Sequence, residues 1–164
     1  MSKNTIQDYW DKEALAGKKE EVRGKYLTDL FLKAIDLGLS HVANSSSKKL
    51  NLFKTDLWNE GVDFEKNILG HYTKHNLNLF GIDLYGEVTK SVKVTKVMRA
   101  QASILNIPFL DNSFDIVLDL STIDHIPFEK TQNVISEYKR ILKPDAVLVM
   151  AFDSWGLAWR FYFN

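Results

Sequence analysis

Leu77-Asn78-Leu79-Phe80-Gly81-Ile82-Asp83-Leu84 is the stretch on which the fold turns. It is an apolar run too short for a globular helix, and it ends on a carboxylate. That is the pattern of a buried strand delivering Asp83 to the edge of a sheet.

Working outward, Leu50 to Thr55 reads as the strand before it, and Asp63 to His75 as the intervening helix, with Phe64, Ile68 and Tyr72 on one face. On the other side come a short helix from Glu87 to about Val94 and a third strand from Lys96 to Ala102. A fourth strand runs from Phe114 to Leu120. Glu129 to Leu142 is a helix with Val134, Ile135, Tyr138, Ile141 and Leu142 turned inward, and Ala146 to Phe152 is strand five. Alternation of this length implies parallel strands joined by right-handed crossovers, with helices on both sheet faces. The fold class is therefore α/β, a doubly wound, Rossmann-like three-layer sandwich. Such sheets take ligands at the carboxyl ends of their strands. Here those ends are Lys54 to Glu60, Asp83 to Tyr85, Ala102 to Ile104 and Asp119 to His125.

Ahead of this body lies a helical front. Ile6, Tyr9, Trp10 and Leu15 fit one short amphipathic helix ending near Gly17. A second helix spans Glu20 to Val42, and Asn44 to Lys49 is a polar break. The expected organisation is one domain: a cap over 1–45, an α/β core over 50–153 and an aromatic tail over 154–164.

The 164 residues carry 21 basic and 21 acidic side chains and no cysteine. Zero net charge argues against a general nucleic-acid binder, which needs a basic surplus. The lack of cysteine excludes disulfides, thiolate nucleophiles and Cys-type zinc sites. No run approaches the ~18 apolar residues of a membrane span, and the first residues lack the apolar core of a signal peptide. A cytoplasmic protein without a membrane partner is expected.

Asp83 can accept both hydroxyls of a ribose, as in dinucleotide sites. It can equally cap the helix that follows. The stretch Ile107-Pro108-Phe109-Leu110-Asp111-Asn112-Ser113-Phe114-Asp115-Ile116-Val117 bears on the choice. It resembles the segment leading into strand four of class I S-adenosylmethionine-dependent methyltransferases of the type 11 kind. Gly81-Ile82-Asp83-Leu84 is similar to the end of that family's second strand, and Arg140-Ile141-Leu142-Lys143-Pro144 to the turn before its fifth. Tyr9-Trp10-Asp11 is similar to openings seen in the family. The resemblance covers roughly residues 50 to 153.

The resemblance implies a strand order of 3-2-1-4-5 and S-adenosylmethionine as methyl donor, with S-adenosylhomocysteine as product and a small-molecule acceptor. It implies that Asp83 holds the ribose and that Leu84 lies against adenine. Ala102, Ser103 and Ile104 would meet the adenine edge, and Ser121 would close the pocket below the methionine part. One loop departs from the family. Where a Gly-x-Gly-x-Gly turn is usual after strand one, this chain reads Lys54-Thr55-Asp56-Leu57-Trp58-Asn59-Glu60-Gly61. Thr55, Asp56 and Trp58 then fall on the amino-acid end of the donor. Asp56 or Glu60 would pair with its ammonium, or Trp58 would plug the pocket and leave a catalytically silent binding or assembly module.

On the acceptor side, His125 is a candidate general base held near neutral pKa by Asp124 or Asp119. The alternative is that Asp124 caps a turn and His125 bonds to the backbone. His71 and His75 sit at helical i, i+4 spacing, but with no third ligand they read as a solvated face and no metal is expected. The resemblance implies two further strands after strand five, and the expectation is that they are missing from this chain. The tail after Phe152 has five aromatics in the eleven positions from Asp153 to Phe163. Three explanations compete: a fragment of a longer protein, a tail packed back on the sheet, or a second copy covering strand five or the tail as a homodimer. The favoured expectation is a shortened domain whose tail folds over the sheet or meets a partner chain, so that removing the tail costs solubility.

Overall fold

The computed structural model describes residues 21–43, 49–63 and 67–151, with side chains from residue 27 onward. The expected first helix, most of the polar break, Phe64, Phe152 and the aromatic tail lie outside the described residues.

Helix α1 (Glu21–Ala43) leads to β1 (Leu50–Lys54) and a single-turn helix α2 (Trp58–Gly61). Then come β2 (Leu77–Asp83), α3 (Gly86–Ser91), β3 (Val97–Gln101), β4 (Phe114–Leu120), α4 (Thr131–Ile141) and β5 (Leu142–Ala151). The five strands pair in parallel in the order β3-β2-β1-β4-β5. The chain adds β2 and then β3 on one side of β1 and crosses back to add β4 and then β5 on the other, so the winding reverses between β1 and β4. The carboxyl ends of β1, β2 and β4 thus form the crevice at the switch point.

Two cores flank the sheet. On one face Leu50 and Leu52 of β1, Leu79 of β2 and Ile116, Leu118 and Leu120 of β4 pack with Ile35 and Val42 of α1 and Val88 of α3. On the other, Phe53, Val117 and Ile82 pack with Val134, Tyr138 and Ile141 of α4. These are the two faces expected from side chains alternating along a strand. Gly38 lets α1 come down onto the sheet: a Cβ there would lie 3.2–3.3 Å from side-chain atoms of Val147, Ile116 and Val149.

Arg140 explains why the motifs around 107–117 and 140–144 belong together. Its guanidinium donates to the carbonyls of Ile107 (2.9 Å) and Phe109 (2.7 Å) and to Asp111 (2.9 Å). Glu137 aligns it at 2.8 Å and accepts the Ile107 N–H. The loop before β4 is therefore pinned to the last turn of α4.

Two elements differ from expectation. The segment read as a helix over 63–75 contains, among its described residues, only a 3₁₀ turn at Leu69–Tyr72. Ile68 and Tyr72 are buried as the spacing predicted. However, Asn67 Oδ1 captures the Gly70 N–H (2.7 Å) and Thr73 Oγ1 donates to the Gly70 carbonyl (3.0 Å). Polar side chains that bond the nearby backbone in this way compete with a continuous helix. His71 and His75 consequently occupy a turn, exposed, with the His75 ring 5.3 Å from that of Tyr72. Strand β5 starts at Leu142, four residues earlier than expected. Phe114 pairs with Leu142, and the register then jumps to Ile116 with Val147. The extra residues include Asp145 at φ 62°, a left-handed conformation that Asp tolerates.

Candidate functional site

The turn after β1 takes its shape from a buried charge. Period-2 alternation carries Lys54 onto the same inner face as Leu50 and Leu52, and its side chain is fully buried. Its ammonium is satisfied within the turn: it donates to the Asp56 carbonyl at 2.8 Å and pairs with Asp56 Oδ1 at 3.0 Å and Glu60 Oε2 at 3.2 Å. Burial alone would lower the Lys54 pKa, but the two carboxylates together outweigh it and hold the group above its ordinary value. Burial pushes Glu60 upward, against the pull of Lys54. Glu60 Oε1 accepts the N–H groups of Ile68 (3.2 Å) and Leu69 (3.0 Å), so this carboxylate faces inward. Of the two acids in the turn, only Asp56 reaches solvent, with its side chain 22% exposed.

Leu57, rather than Trp58, fills the space above β2. Its side chain is fully buried, and a Cβ on Gly81 would come within 2.4 Å of its Cδ2. Gly81 is thus what makes room for the turn. Trp58 lies half-buried against the α1-side core, its N–H on Asp56 Oδ1 at 3.2 Å.

Asp83 ends β2, 5% exposed, and is oriented by two backbone N–H groups. Oδ2 accepts the Leu57 N–H at 3.0 Å and Oδ1 the Tyr85 N–H at 2.9 Å. Burial raises its pKa to about 6 against the pull of those two bonds. Asp83 and the turn after β1 are therefore in direct contact. The Asp83 carbonyl also accepts the Ala102 N–H at 2.9 Å, which brings the residues after β3 alongside. Leu84 is 49% exposed beside it, Ala102 and Ser103 are half-buried and Ile104 is buried. Ser103 Oγ accepts the Leu105 N–H at 3.2 Å.

Asp119 near the end of β4 is fully buried. Oδ1 accepts the N–H groups of Thr122 (2.9 Å) and Ile123 (3.1 Å), and Oδ2 accepts the Tyr138 hydroxyl at 2.6 Å. Burial nevertheless leaves its pKa above the usual carboxylate range. Asp119 thus holds the start of the 3₁₀ turn Ile123–His125, on which Asp124 and His125 are exposed. Ser121, at φ 64°, donates its N–H to the Ala151 carbonyl. Thr55, almost fully buried, hydrogen-bonds the Thr122 hydroxyl at 2.8 Å, and Thr122 Oγ1 donates to Asp56 Oδ2 at 3.2 Å.

The crevice thus brings together Thr55, Asp56, Asp83, Asp119 and the turn carrying Asp124 and His125. Ala102, Ser103 and Ile104 lie along the β2 side. Sequence reasoning missed the parts played by Lys54, Leu57, Thr122 and Tyr138. A lysine at an inward strand position, with acids two and six residues on, was the available signal for the first.

A model of the methyltransferase domain family matches residues 65–150, just over half of the chain. An uncharacterized protein of Haemophilus influenzae is 37% identical over 54 residues, 33% of this chain and 22% of that protein. The solved structure of the Burkholderia thailandensis 1,6-didemethyltoxoflavin-N1-methyltransferase, with 1,6-didemethyltoxoflavin and S-adenosylhomocysteine bound, has a TM-score of 0.58 at 11% identity. That alignment covers 87% of this chain and 59% of the other. The 4+2 cyclase SpnF has a TM-score of 0.55 at 15% identity, over 71% of this chain and 43% of that one. The chain spans about a fifth of the curated relatives it matches and roughly half of these structural neighbours. The structural likenesses carry the fold alone, as the cyclase illustrates. With the match over residues 65–150, the chain belongs to the methyltransferase domain family.

Proposed function

We propose that this domain binds S-adenosylmethionine across the carboxyl ends of β1, β2 and β3 and passes its methyl group to a small-molecule acceptor. The observation that carries the reading is Asp83. Two backbone N–H groups fix its carboxylate before any ligand arrives, and each oxygen keeps a lone pair for a ribose hydroxyl. Leu84 offers an exposed apolar face for adenine, and Ala102, Ser103 and Ile104 lie on the same side. At the other end, Asp56 is the acid open to an ammonium, flanked by Thr55 and Trp58, and Ser121 would close the pocket below the methionine part. These groups fit a nucleoside with a cationic tail better than a dinucleotide, whose phosphates would meet carboxylates.

The acceptor would lie against the turn after β4. Methyl transfer is a displacement in which an acceptor lone pair attacks the methyl carbon as the carbon–sulfur bond breaks. Its first requirement is alignment. Asp119, through Thr122 and Ile123, fixes the turn from below. His125 takes the proton of a hydroxyl acceptor, with Asp124 beside it in the turn. Zero net charge favours a small acceptor over nucleic acid.

A second reading, a catalytically silent binding or assembly module, is favoured by Leu57 above Gly81 and by the charged turn where glycines are usual. Stabilisation by ligand separates the two. S-adenosylhomocysteine at a hundred times its Kd should stabilise the fold by about 2.7 kcal/mol, and NAD at the same concentration should not. A folded chain that neither ligand stabilises supports the silent module.

A further inference from the structure

Across the carboxyl edge of the sheet runs one continuous polar strap. It starts on α4 with the Tyr138 hydroxyl, which donates to Asp119, and Asp119 accepts the Thr122 N–H. From Thr122 it passes to Asp56, from Asp56 to Lys54, and from Lys54 to Glu60, which receives the N–H groups of Ile68 and Leu69 on the opposite face. Thr122 is where its halves meet. The Thr122 hydroxyl donates to Asp56 and also hydrogen-bonds the Thr55 hydroxyl, which in turn reaches the Tyr138 hydroxyl on α4. Among the described side-chain bonds, Thr122 thus makes two to the turn after β1, one to Thr55 and one to Asp56.

We infer that Thr122 is a positioning residue coupling the donor-side turn (residues 55–60) to the acceptor-side turn (residues 122–126), so that a ligand on one is felt at the other. The inference rests on the methyl-donor reading for which ligand binds, but the strap itself exists without one. Coupling between sites requires an element that both can bias, and Thr122 bonds the first turn through its hydroxyl while its N–H is held at the second.

Amide hydrogen exchange on the full chain tests this with Thr122→Val, which keeps the shape and the N–H to Asp119, and Thr122→Ser, which restores the hydroxyl. Without ligand, Thr122→Val should speed exchange in both 55–60 and 122–126 by about fivefold, the size of one hydrogen bond's net contribution, and Thr122→Ser should reverse it. Acceleration confined to 122–126, or failure of Thr122→Ser to restore protection, overturns the coupling. With saturating S-adenosylhomocysteine, the wild type should gain protection in 122–126 and Thr122→Val should not. Equal gains in both proteins overturn the inference. If the wild type binds no S-adenosylhomocysteine, the methyl-donor reading fails, and the ligand-free comparison alone then decides for or against the strap.

Discussion

Asp83 is held by the N–H groups of Leu57 and Tyr85, yet burial keeps its pKa at about 6. In the unfolded chain the same carboxyl titrates near about 3.9, so the folded protein binds this proton more tightly. The stability this gives is complete below about pH 4 and is lost as pH rises through about 6. At pH 7 the ionised group costs the fold about 3 kcal/mol relative to its neutral form. Asp83→Asn removes the titration, so urea midpoints should show the wild type gaining on the variant as pH falls from 7 to about 4. A difference that stays constant over that range contradicts the assignment. Asp83 was legible in the sequence because an acid after an apolar run has few other places to go. Lys54 was legible in part, as a lysine at an inward strand position with acids two and six residues on, but Leu57 was not. What Leu57 does depends on Gly81, which only tertiary folding brings to it, and no periodicity reports a contact between separate strands and turns.

At the level of elements, β2 and β4 fall where the sequence put them, because each is an apolar run bounded by polar residues and buried on both faces. The turn at 69–72 shows the limit of the method. Burial of Ile68 and Tyr72 satisfies a helical spacing, but Asn67 and Thr73 spend the backbone bonds a helix would need. The early start of β5 was hidden too, since Phe114 pairs with Leu142 across an irregularity that no local pattern announces. The motif pair around Arg140 has a physical reason. One guanidinium ties together two loop carbonyls and two carboxylates. Arg140→Met should therefore cost about 1–2 kcal/mol, allowing for its partial exposure, seen as a lower urea midpoint and faster exchange in 107–113. An unchanged midpoint contradicts the clamp.

For the whole molecule, β5 is one of the sheet's two outer strands, with β4 its one neighbour among the described residues. A parallel sheet with an open edge invites another strand. We propose pairing with a second copy along it; light scattering should then give a molar mass that rises with concentration toward twice 18.9 kDa. A constant monomer mass rules this out. No helix among the described residues is long and apolar enough to cross a membrane. The account's central claim is that a family fold with a charged, glycine-poor first turn still holds a methyl donor through Asp83. Calorimetric titration with S-adenosylhomocysteine, in wild type and Asp83→Ala, tests it most directly. The account predicts binding that Asp83→Ala weakens by about tenfold. It also predicts proton release on binding near pH 6, because ribose hydroxyls favour the ionised carboxylate. A folded wild type that gives no heat, or a variant that binds equally well, would contradict it.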